Sequence, residues 1–483
     1  MIDPHSFNQS SRRHFLGSSA MGLGGLALAW LLKQDGLLAA PSRPELERQT
    51  FDLTPKAPPA EPRARAMISL FMGGGPSHLD MFDPKPLLAK YDGKLFPRDD
   101  IKYDNAGGAS KRVMASPFRF HKRGRSGIEL SELVPHMGEI ADEITLVRSM
   151  HLGGIRNHVA GMRALNTGQG NGAARPALGS WLTYGLGSAS QDLPAFVAMP
   201  LRSNPPGSPY WSSGFLPSLY QGTVMRDREP RILNLDPPPH LQGTPQRQNL
   251  ELLETLNNLH AGRHPGELDL QARIASYQLA ARMQTAAADA LDIQQETKAT
   301  QQLYGLDDPQ TKLLGEACLI ARRLVERGVR FVQIHLYSWD MHENINDVLP
   351  QRCRQVDKPS AALVKDLKQR GLLDTTLVHW GGEMGRLPVI QYRGPGRKPG
   401  RDHNTDGFSL WLAGGGVKSG CVYGATDDFG HRAVENPVLH TDYLATLLHL
   451  FGLSAEELTY TRNNQQLTIL DNQPARVVKE ILA

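Results

Sequence analysis

Cysteine is scarce in this sequence, with three residues among 483, at positions Cys318, Cys353 and Cys421. Their number is odd and their spacing is wide. The chain therefore offers neither a Cys-x-x-Cys metal site nor a framework of paired disulfides.

A strong charge of either sign is also missing, because 53 basic residues stand against 49 acidic ones and leave a net charge of +4. No dense block of Lys and Arg is interleaved with aromatic residues, so we expect no nucleic-acid partner. With 40% hydrophobic and 21% charged residues the chain can bury a large core. At this length one extended domain or two domains are both possible.

The apolar run of residues 18–32 is too short for a membrane span, which needs about 20 apolar residues. It follows the twin arginine Arg12 and Arg13 in SRRHFLGSSAMGLGGLALAWLL, which closely matches the export signal S-R-R-x-F-L. We predict that residues 1–40 are a twin-arginine signal segment, recognised by the twin-arginine export machinery. The expected location is the periplasm or the cell exterior. LLAA is not a clean signal-peptidase site, so cleavage near Ala40 and an uncleaved segment are both possible. An uncleaved segment would be the protein's one contact with the membrane.

Residues 41–66 are rich in proline and charge and are predicted to be a linker before one domain over residues 67–483. Apolar, β-branched runs predict strands, and helical periodicity predicts helices between them. Most of the strand runs are continuous, which is typical of strands covered on both faces. We therefore predict an α/β fold with a central, mostly parallel sheet, and a helical insertion at about 205–300. The predicted strands are 67–72, 144–150, 196–199, 329–336, 375–380 and 409–416, and the predicted helices are 267–296, 311–328, 358–371 and 440–452.

Acidic and histidine residues cluster where the predicted strands end. In WDMH, Asp340 and His342 are two residues apart, so in extended backbone their side chains lie on the same side. Ligands bind at the carboxyl ends of the strands in open parallel sheets, so we expect the clusters to be neighbours in space. The other clusters that follow strands contain His78, Asp80 and Asp83; His151, Asn157 and His158; and Glu383 and Arg386. Asp402 and His403 are added just before the last predicted strand.

Converging carboxylates and imidazoles are typical ligands of a divalent cation, and Zn, Mn, Ca and Mg all remain open. An arginine facing such a cation would hold a phosphate- or sulfate-like group with two parallel hydrogen bonds. Arg386 and Arg401 are the candidates, although each is equally well explained as an ion-pair partner. His335 and His379 alternate inside predicted strands, so we interpret them as core histidines.

The motifs GGGPSHLDMFDPKP, NTG, WDMH, GGEMGR, GRDHN, SGFLPSLYQG and HTDYLATLLHLFGL together resemble the bacterial family called domain of unknown function 1501. That family is similar to the alkaline phosphatase and sulfatase superfamily. The resemblance implies a three-layer sandwich with metal at the strand ends. It also implies the metal ligands Asp80, Asp340, His342, Glu383 and His403, with Zn, Ca or Mn as the cation.

The resemblance also has departures. In sulfatases the nucleophile lies nine residues before the Thr of the L-x-T-G segment, and here that position is His158, which is not a Ser, Thr or Cys. Met384 stands where a second histidine ligand is expected, which favours a single metal. His158 is open to four roles: general acid or base for a metal-activated water, metal ligand, covalent nucleophile, or structural residue.

The predicted function is a metal-dependent hydrolase of sulfate or phosphate esters, with His158 as its acid or base. Arg386 would orient the anion, and Asn157, Arg401 and His78 would contact the substrate. The alternative is a non-catalytic protein that uses the same fold and metal to bind an anionic glycan or a surface partner. Metal-dependent transfer or isomerisation is a third option.

Overall fold

The computed structural model describes residues 51–104, 109–202, 209–233, 235–264, 267–392, 394 and 396–483. The predicted signal segment, residues 1–40, and the first part of the predicted linker lie outside these residues. None of the described helices is both long and apolar enough to cross a membrane.

The continuous apolar runs form the central strands of one nine-stranded sheet, which also contains three short strands. The strands are β1 (Ala66–Phe71), β2 (Ile144–His151), β3 (Phe196–Leu201), β4 (Thr223–Val224), β5 (Phe331–Leu336), β6 (Thr376–Gly381), β7 (Phe408–Ala413), β8 (Cys421–Tyr423) and β9 (Val438–Leu439). Their order in the sheet is β8-β2-β7-β6-β1-β5-β3-β4, with β9 also paired to β2. All pairings are parallel except those of β7, which runs antiparallel to β2 and β6.

Two-stranded antiparallel ribbons lie outside this sheet. One of them joins Gly385–Arg386 to His403–Asn404 and so holds two predicted site segments together. The others pair Ala109–Val113 with Val389–Gln391, Phe120–Arg123 with Ile128–Ser131, Ala425–Thr426 with Ala433–Glu435, and Tyr460–Arg462 with Gln465–Leu467.

The helices of eight or more residues are α1 (His158–Thr167), α2 (Leu178–Leu186), α3 (Thr244–Arg263), α4 (Leu268–Leu291), α5 (Lys312–Glu326), α6 (Ile345–Gln369) and α7 (His440–Leu450). Shorter ones are His78–Met81, Pro86–Tyr91, Pro135–Gly138 and Lys298–Leu303. Local sequence sets the bounds of α1: the Asn157 side chain caps its start by accepting from Ala160 N at 2.9 Å, and Gly168 ends it with left-handed backbone.

Alternation along β1 divides the hydrophobic core between the two faces of the sheet. Ile68 and Leu70 belong to the core that contains α5 and α6, whereas Met67 and Phe71 belong to the core that contains α1, α2 and α7. Helices therefore cover both faces. The predicted α/β fold with a central, mostly parallel sheet between helical layers is confirmed.

The structure differs from the predicted linker at its carboxyl half. Phe51 and Leu53 are buried, and the backbone of residues 60–64 bonds to Leu450 and Gly452. Residues 51–483 accordingly form one compact unit. The predicted insertion at about 205–300 contains the two long helices α3 and α4.

Candidate metal centre

Three histidine rings converge on one carboxylate oxygen at the edge of the sheet. The Nε2 atoms of His158, His342 and His403 lie 3.1, 2.8 and 3.2 Å from Asp340 Oδ1. One ligand atom from each of the four residues lies within 4.8 Å of the other three. Three imidazoles and a carboxylate at this spacing form a cluster that could hold a transition-metal ion.

The strands bring these four residues together from distant parts of the chain. Asp340 and His342 follow β5, and His158 is the first residue of α1, which follows β2. His403 instead precedes β7, whose antiparallel direction places its start at the edge where the parallel strands end. The cluster therefore lies at the carboxyl ends of the parallel strands.

Each histidine presents Nε2 to the cluster because its Nδ1 contacts another side chain. His158 Nδ1 lies 2.6 Å from Glu383 Oε1, and His342 Nδ1 lies 2.6 Å from Gln391 Oε1. His403 Nδ1 lies 2.9 Å from Asp104 Oδ2. The acceptors hydrogen-bonded to His158 and His342 favour the tautomer whose other nitrogen can bind a metal, an arrangement typical of metal-ligating histidines. His403 instead has the negative charge of Asp104 beside its Nδ1.

The pKa values in the cluster reflect opposed effects of burial and charge. Burial lowers the pKa of His158, but hydrogen bonds to Asp340 and Glu383 outweigh it and raise that pKa to about 9. Burial raises the pKa of Asp340, yet the three histidines and Arg386 hold it well below its usual range. Burial lowers the pKa of His403 despite its bond to Asp340.

The predicted ligands Glu383 and Asp80 lie outside the four-residue cluster. Glu383 is fully buried, and besides His158 its Oε1 accepts a hydrogen bond from Gly74 N at 2.9 Å. Glu383 therefore orients the His158 ring through its Nδ1, on the side of the ring away from the cluster. The carboxylate of Asp80 is paired with the Arg401 guanidinium through Nε–Oδ2 and Nη2–Oδ1 distances of 3.0 and 3.1 Å. Its charge is thereby compensated away from the cluster.

The predicted anion-binding role of Arg386 needs correction, because this side chain is fully buried and its donors point to protein oxygens. Its Nε donates to Gly75 O at 2.9 Å, and its Nη2 donates to Trp339 O at 3.0 Å and to Asp340 Oδ1 at 2.8 Å. Arg386 thus fixes Asp340 and the loops beside it.

The predicted substrate contacts of Arg401 and His78 need the same correction. Arg401 is fully buried and donates to Met114 O as well as to Asp80. His78 is fully buried with its Nε2 at 2.8 Å from Gly430 O, and burial lowers its pKa. Asn157 is exposed beside His158 and caps α1, so its predicted contact with a substrate stays a prediction.

Sequence reasoning missed Asp104 and Gln391. Asp104 follows no predicted strand, and Gln391 lies in a short ribbon strand 49 positions after His342. Neither position has a fixed spacing to the histidine that it contacts. A polar glutamine at the end of the apolar stretch LPVIQ was the one available signal, since Gln391 is buried.

One side of the cluster faces solvent. The Asp340 side chain is 34% exposed, whereas those of His342 and His403 are almost fully buried. The residue before Trp339, Ser338, has φ of 133°, which non-glycine residues rarely adopt. This turn directly precedes the loop that presents Asp340 at the open side.

Comparison with solved structures finds weak likenesses. PsFucS1 sulfatase from Pseudoalteromonas sp. is 14% identical over 81% of this chain and 68% of its own, at a TM-score of 0.35. Ps i-CgsB is 13% identical over 82% and 73%, at 0.33. Phosphonate monoester hydrolase SpPMH from Silicibacter pomeroyi is 11% identical over 72% and 71%, at 0.34. Likenesses at this level do not assign an activity to this chain.

Comparison with curated proteins finds no match. The model of one family, described as "Protein of unknown function (DUF1501)", matches residues 64–482. This match covers nearly all of the described residues and confirms the resemblance carried by the sequence motifs. The chain therefore belongs to the DUF1501 family.

Proposed function

We propose that this protein is a metal-dependent hydrolase of sulfate or phosphate esters, with one divalent cation held by His158, Asp340, His342 and His403. The observation that carries the metal site is the convergence of three Nε2 atoms on Asp340 Oδ1, with a side-chain oxygen within 3 Å of Nδ1 behind each ring. The choice of ester comes from the family resemblance of the sequence motifs.

The donor set favours zinc or manganese over calcium. Calcium prefers six to eight oxygen ligands, whereas this cluster offers three imidazole nitrogens and one carboxylate. When bound, the cation would polarise the ester and lower the pKa of a water molecule towards neutrality.

The protein's own residues have separate tasks in this proposal. His158 acts as a ligand, because Glu383 engages its Nδ1 and its Nε2 points into the cluster. Glu383, Gln391 and Asp104 keep the three rings oriented. Arg386 holds Asp340 in place, and the exposed side of Asp340 leaves room for substrate and water to approach.

Metal content and turnover together test the proposal. We expect purified protein to contain about one zinc or manganese per chain by elemental analysis, and its melting temperature to fall on chelation because a bound metal stabilises the native state. It should hydrolyse p-nitrophenyl sulfate or p-nitrophenyl phosphate. His342→Ala should lose metal and activity, whereas His449→Ala, an exposed histidine on α7, should keep both.

The outcomes separate the parts of the proposal. Protein with no metal after native purification and metal addition would contradict the centre itself. Stoichiometric metal without turnover of any ester would remove the hydrolase. The alternative, capture of an anionic glycan, is favoured by the lack of a Ser, Thr or Cys at position 158, and a glycan array with metal present tests it.

We also propose that the protein is exported by the twin-arginine route, on the evidence of Arg12 and Arg13 in SRRHFL. Cell fractionation should find it in the periplasm or outside the cell. Replacing both arginines with lysine should retain it in the cytoplasm, and unchanged export of that variant would exclude this route.

A further inference from the structure

Helix α3 exposes leucines on the side that faces away from the fold. Every residue of α3 is described and none of them is buried. Leu252, Leu256 and Leu259 are 59%, 53% and 57% exposed. Their spacing of four and three residues places them on one face of the helix, which we call the leucine stripe.

The opposite face of α3 is already used by the fold. Leu250, Asn257 and Ala261 are partly buried, and α3 packs there along α4, where Gln278 Nε2 donates to Glu254 Oε1 at 3.1 Å. In a folded protein, a helix gains most of its stability by packing an apolar face against its neighbours. The leucine stripe is thus a second apolar face with no cover from the described part of this chain.

The charges along α3 indicate the chemistry of what covers the stripe. Arg247 and Arg263 balance Glu251 and Glu254, two positive against two negative, and the helix contains neither lysine nor an aromatic residue. Helices that lie on lipid surfaces carry many lysines or arginines and often tryptophan or phenylalanine. The neutral stripe does not fit a membrane.

The same charges are complementary to a second copy of α3 in the reverse direction. Glu251, which lies 4.0 Å from Arg247 in the same helix, flanks the stripe at the end that holds Leu252. Arg263 lies one turn beyond Leu259 at the other end. Antiparallel packing about Leu256 would bring Glu251 of each copy near Arg263 of the partner, with the two helix dipoles opposed. Parallel packing would instead place like charges opposite each other.

We propose that the leucine stripe of α3 is a homodimer interface, in which two copies of this chain pack α3 antiparallel around a two-fold axis near Leu256. The interface is isologous, because the same residues contribute from both copies. Leu253 and Tyr277, both also exposed, widen the apolar patch on the side of α4. A helix of 20 residues is about 30 Å long, so this contact is smaller than the roughly 800 Å² per partner of a standard interface. Dissociation in the micromolar range is expected.

Sedimentation of the full chain across micromolar concentrations tests the proposal. Wild-type protein should shift reversibly from monomer to dimer. Leu256→Glu should weaken the dimer by more than about 10-fold, since it would bury two facing glutamates at the axis. Val434→Glu is the matched control, because Val434 is 60% exposed on a ribbon strand and it should leave the dimer unchanged.

Charge reversal tests the direction of packing. Glu251→Arg alone and Arg263→Glu alone should each weaken the dimer, and the double variant should restore it. The proposal would be overturned by a monomer at every concentration, by a dimer insensitive to Leu256→Glu, or by a monomer that binds phospholipid vesicles through the stripe. A full chain that dimerises only after residues 18–32 are deleted would also overturn it, because that segment would then be the occupant.

Discussion

At the scale of single residues, the centre depends on side chains that do not belong to the cluster itself. Asp104, Gln391 and Glu383 each contact the Nδ1 of one histidine; Glu383 and Gln391 belong to the segment after β6, and Asp104 comes from a distant part of the chain. Such partners keep the ring orientation and the basicity of the ligating nitrogen. Asp104 differs from Glu383 in being partly exposed, so it can be changed without burying a new group.

We expect Asp104→Asn to weaken metal binding by about 10- to 100-fold, because the change removes the negative charge that lies 2.9 Å from His403 Nδ1. The affinity can be measured by competition with a chelating dye. Asp99→Asn, a fully exposed carboxylate in the same segment, is the control and should bind metal like wild type. Equal affinities for all three proteins would show that Asp104 does not position His403.

The sequence predicts that two side chains lie together where they are close in the chain and the local backbone geometry is known. Asp340 and His342 could be paired because extended backbone alternates with a period of two. No such rule distinguishes an arginine that faces a ligand from one that is buried among carbonyl oxygens. Arg386 and Arg401 were therefore assigned to the substrate, whereas the fold uses them to satisfy loop carbonyls and Asp80.

At the scale of elements, the turn after β1 and the loop after β5 approach too closely for a side chain between them. Gly74 has φ of 107°, and a Cβ there would lie 2.7 Å from Asp340 N and 2.9 Å from Trp339 N. The Gly74 N–H also donates to Glu383. This glycine consequently sets the distance between the two strand ends that carry Asp340 and the partner of His158.

We expect Gly74→Ala to reduce both stability and metal affinity, since backbone atoms must move apart at the centre. Gly93→Ala is a matched control because Gly93 also has positive φ, 71°, but nothing lies within 4 Å of the added Cβ. It should cost only about 1 kcal/mol of backbone strain and leave metal affinity unchanged. Urea unfolding and metal titration measure the two effects. Equal metal affinity in both variants would contradict the role given to Gly74.

The sequence predicted strands where apolar runs were continuous, but it did not predict the direction of each strand in the sheet. Periodicity predicted six of the strands near their observed bounds, and also the helices α4, α5 and α7. The predicted helix 358–371 is only the carboxyl half of α6, which starts at Ile345 and contains Pro350 and Pro359. Periodicity could not reveal that β7 is antiparallel, because a strand's direction depends on how the chain returns to the sheet. That direction is what allows His403, which precedes its strand, to join residues that follow theirs.

At the scale of the whole molecule, the middle of the sheet contains two histidines that stay neutral. His335 on β5 and His379 on β6 are fully buried, and burial lowers the pKa of each to about 3. His379 Nδ1 lies 2.9 Å from Ser69 Oγ on β1. Their prediction as core histidines from strand alternation agrees with this placement, with a side-chain hydroxyl as the partner of His379.

These histidines predict loss of stability in mild acid. Their folded pKa values lie below the ordinary value near 6.5, so below that pH the unfolded chain binds protons that the native state excludes. Their contribution to the free energy of unfolding is greatest above about pH 6.5 and decreases as the pH drops towards 3. Each of these histidines should reduce the free energy of unfolding by about 2 kcal/mol when the pH falls from 7 to 5.

Replacing His379 with asparagine removes one titrating group while keeping a polar contact for Ser69. We expect a shallower fall in unfolding free energy from pH 7 to pH 5 in this variant than in wild type, measured by urea unfolding at each pH. Val434→Asn, at an exposed position without a titrating group, is the comparison and should keep the wild-type slope. Identical slopes for wild type and His379→Asn would contradict a neutral buried His379.

The packing of residues 51–65 also has a practical consequence for anyone who shortens this protein. The family match begins at residue 64, yet Phe51 stacks edge-on against Tyr220 and the backbone of Lys56 bonds to Leu186 O. A truncation at residue 64 would remove this segment and expose the apolar groove that it covers at the amino ends of the strands. Such a shortened protein should come out of the cell as aggregate, whereas one cut ahead of Phe51 should stay in solution.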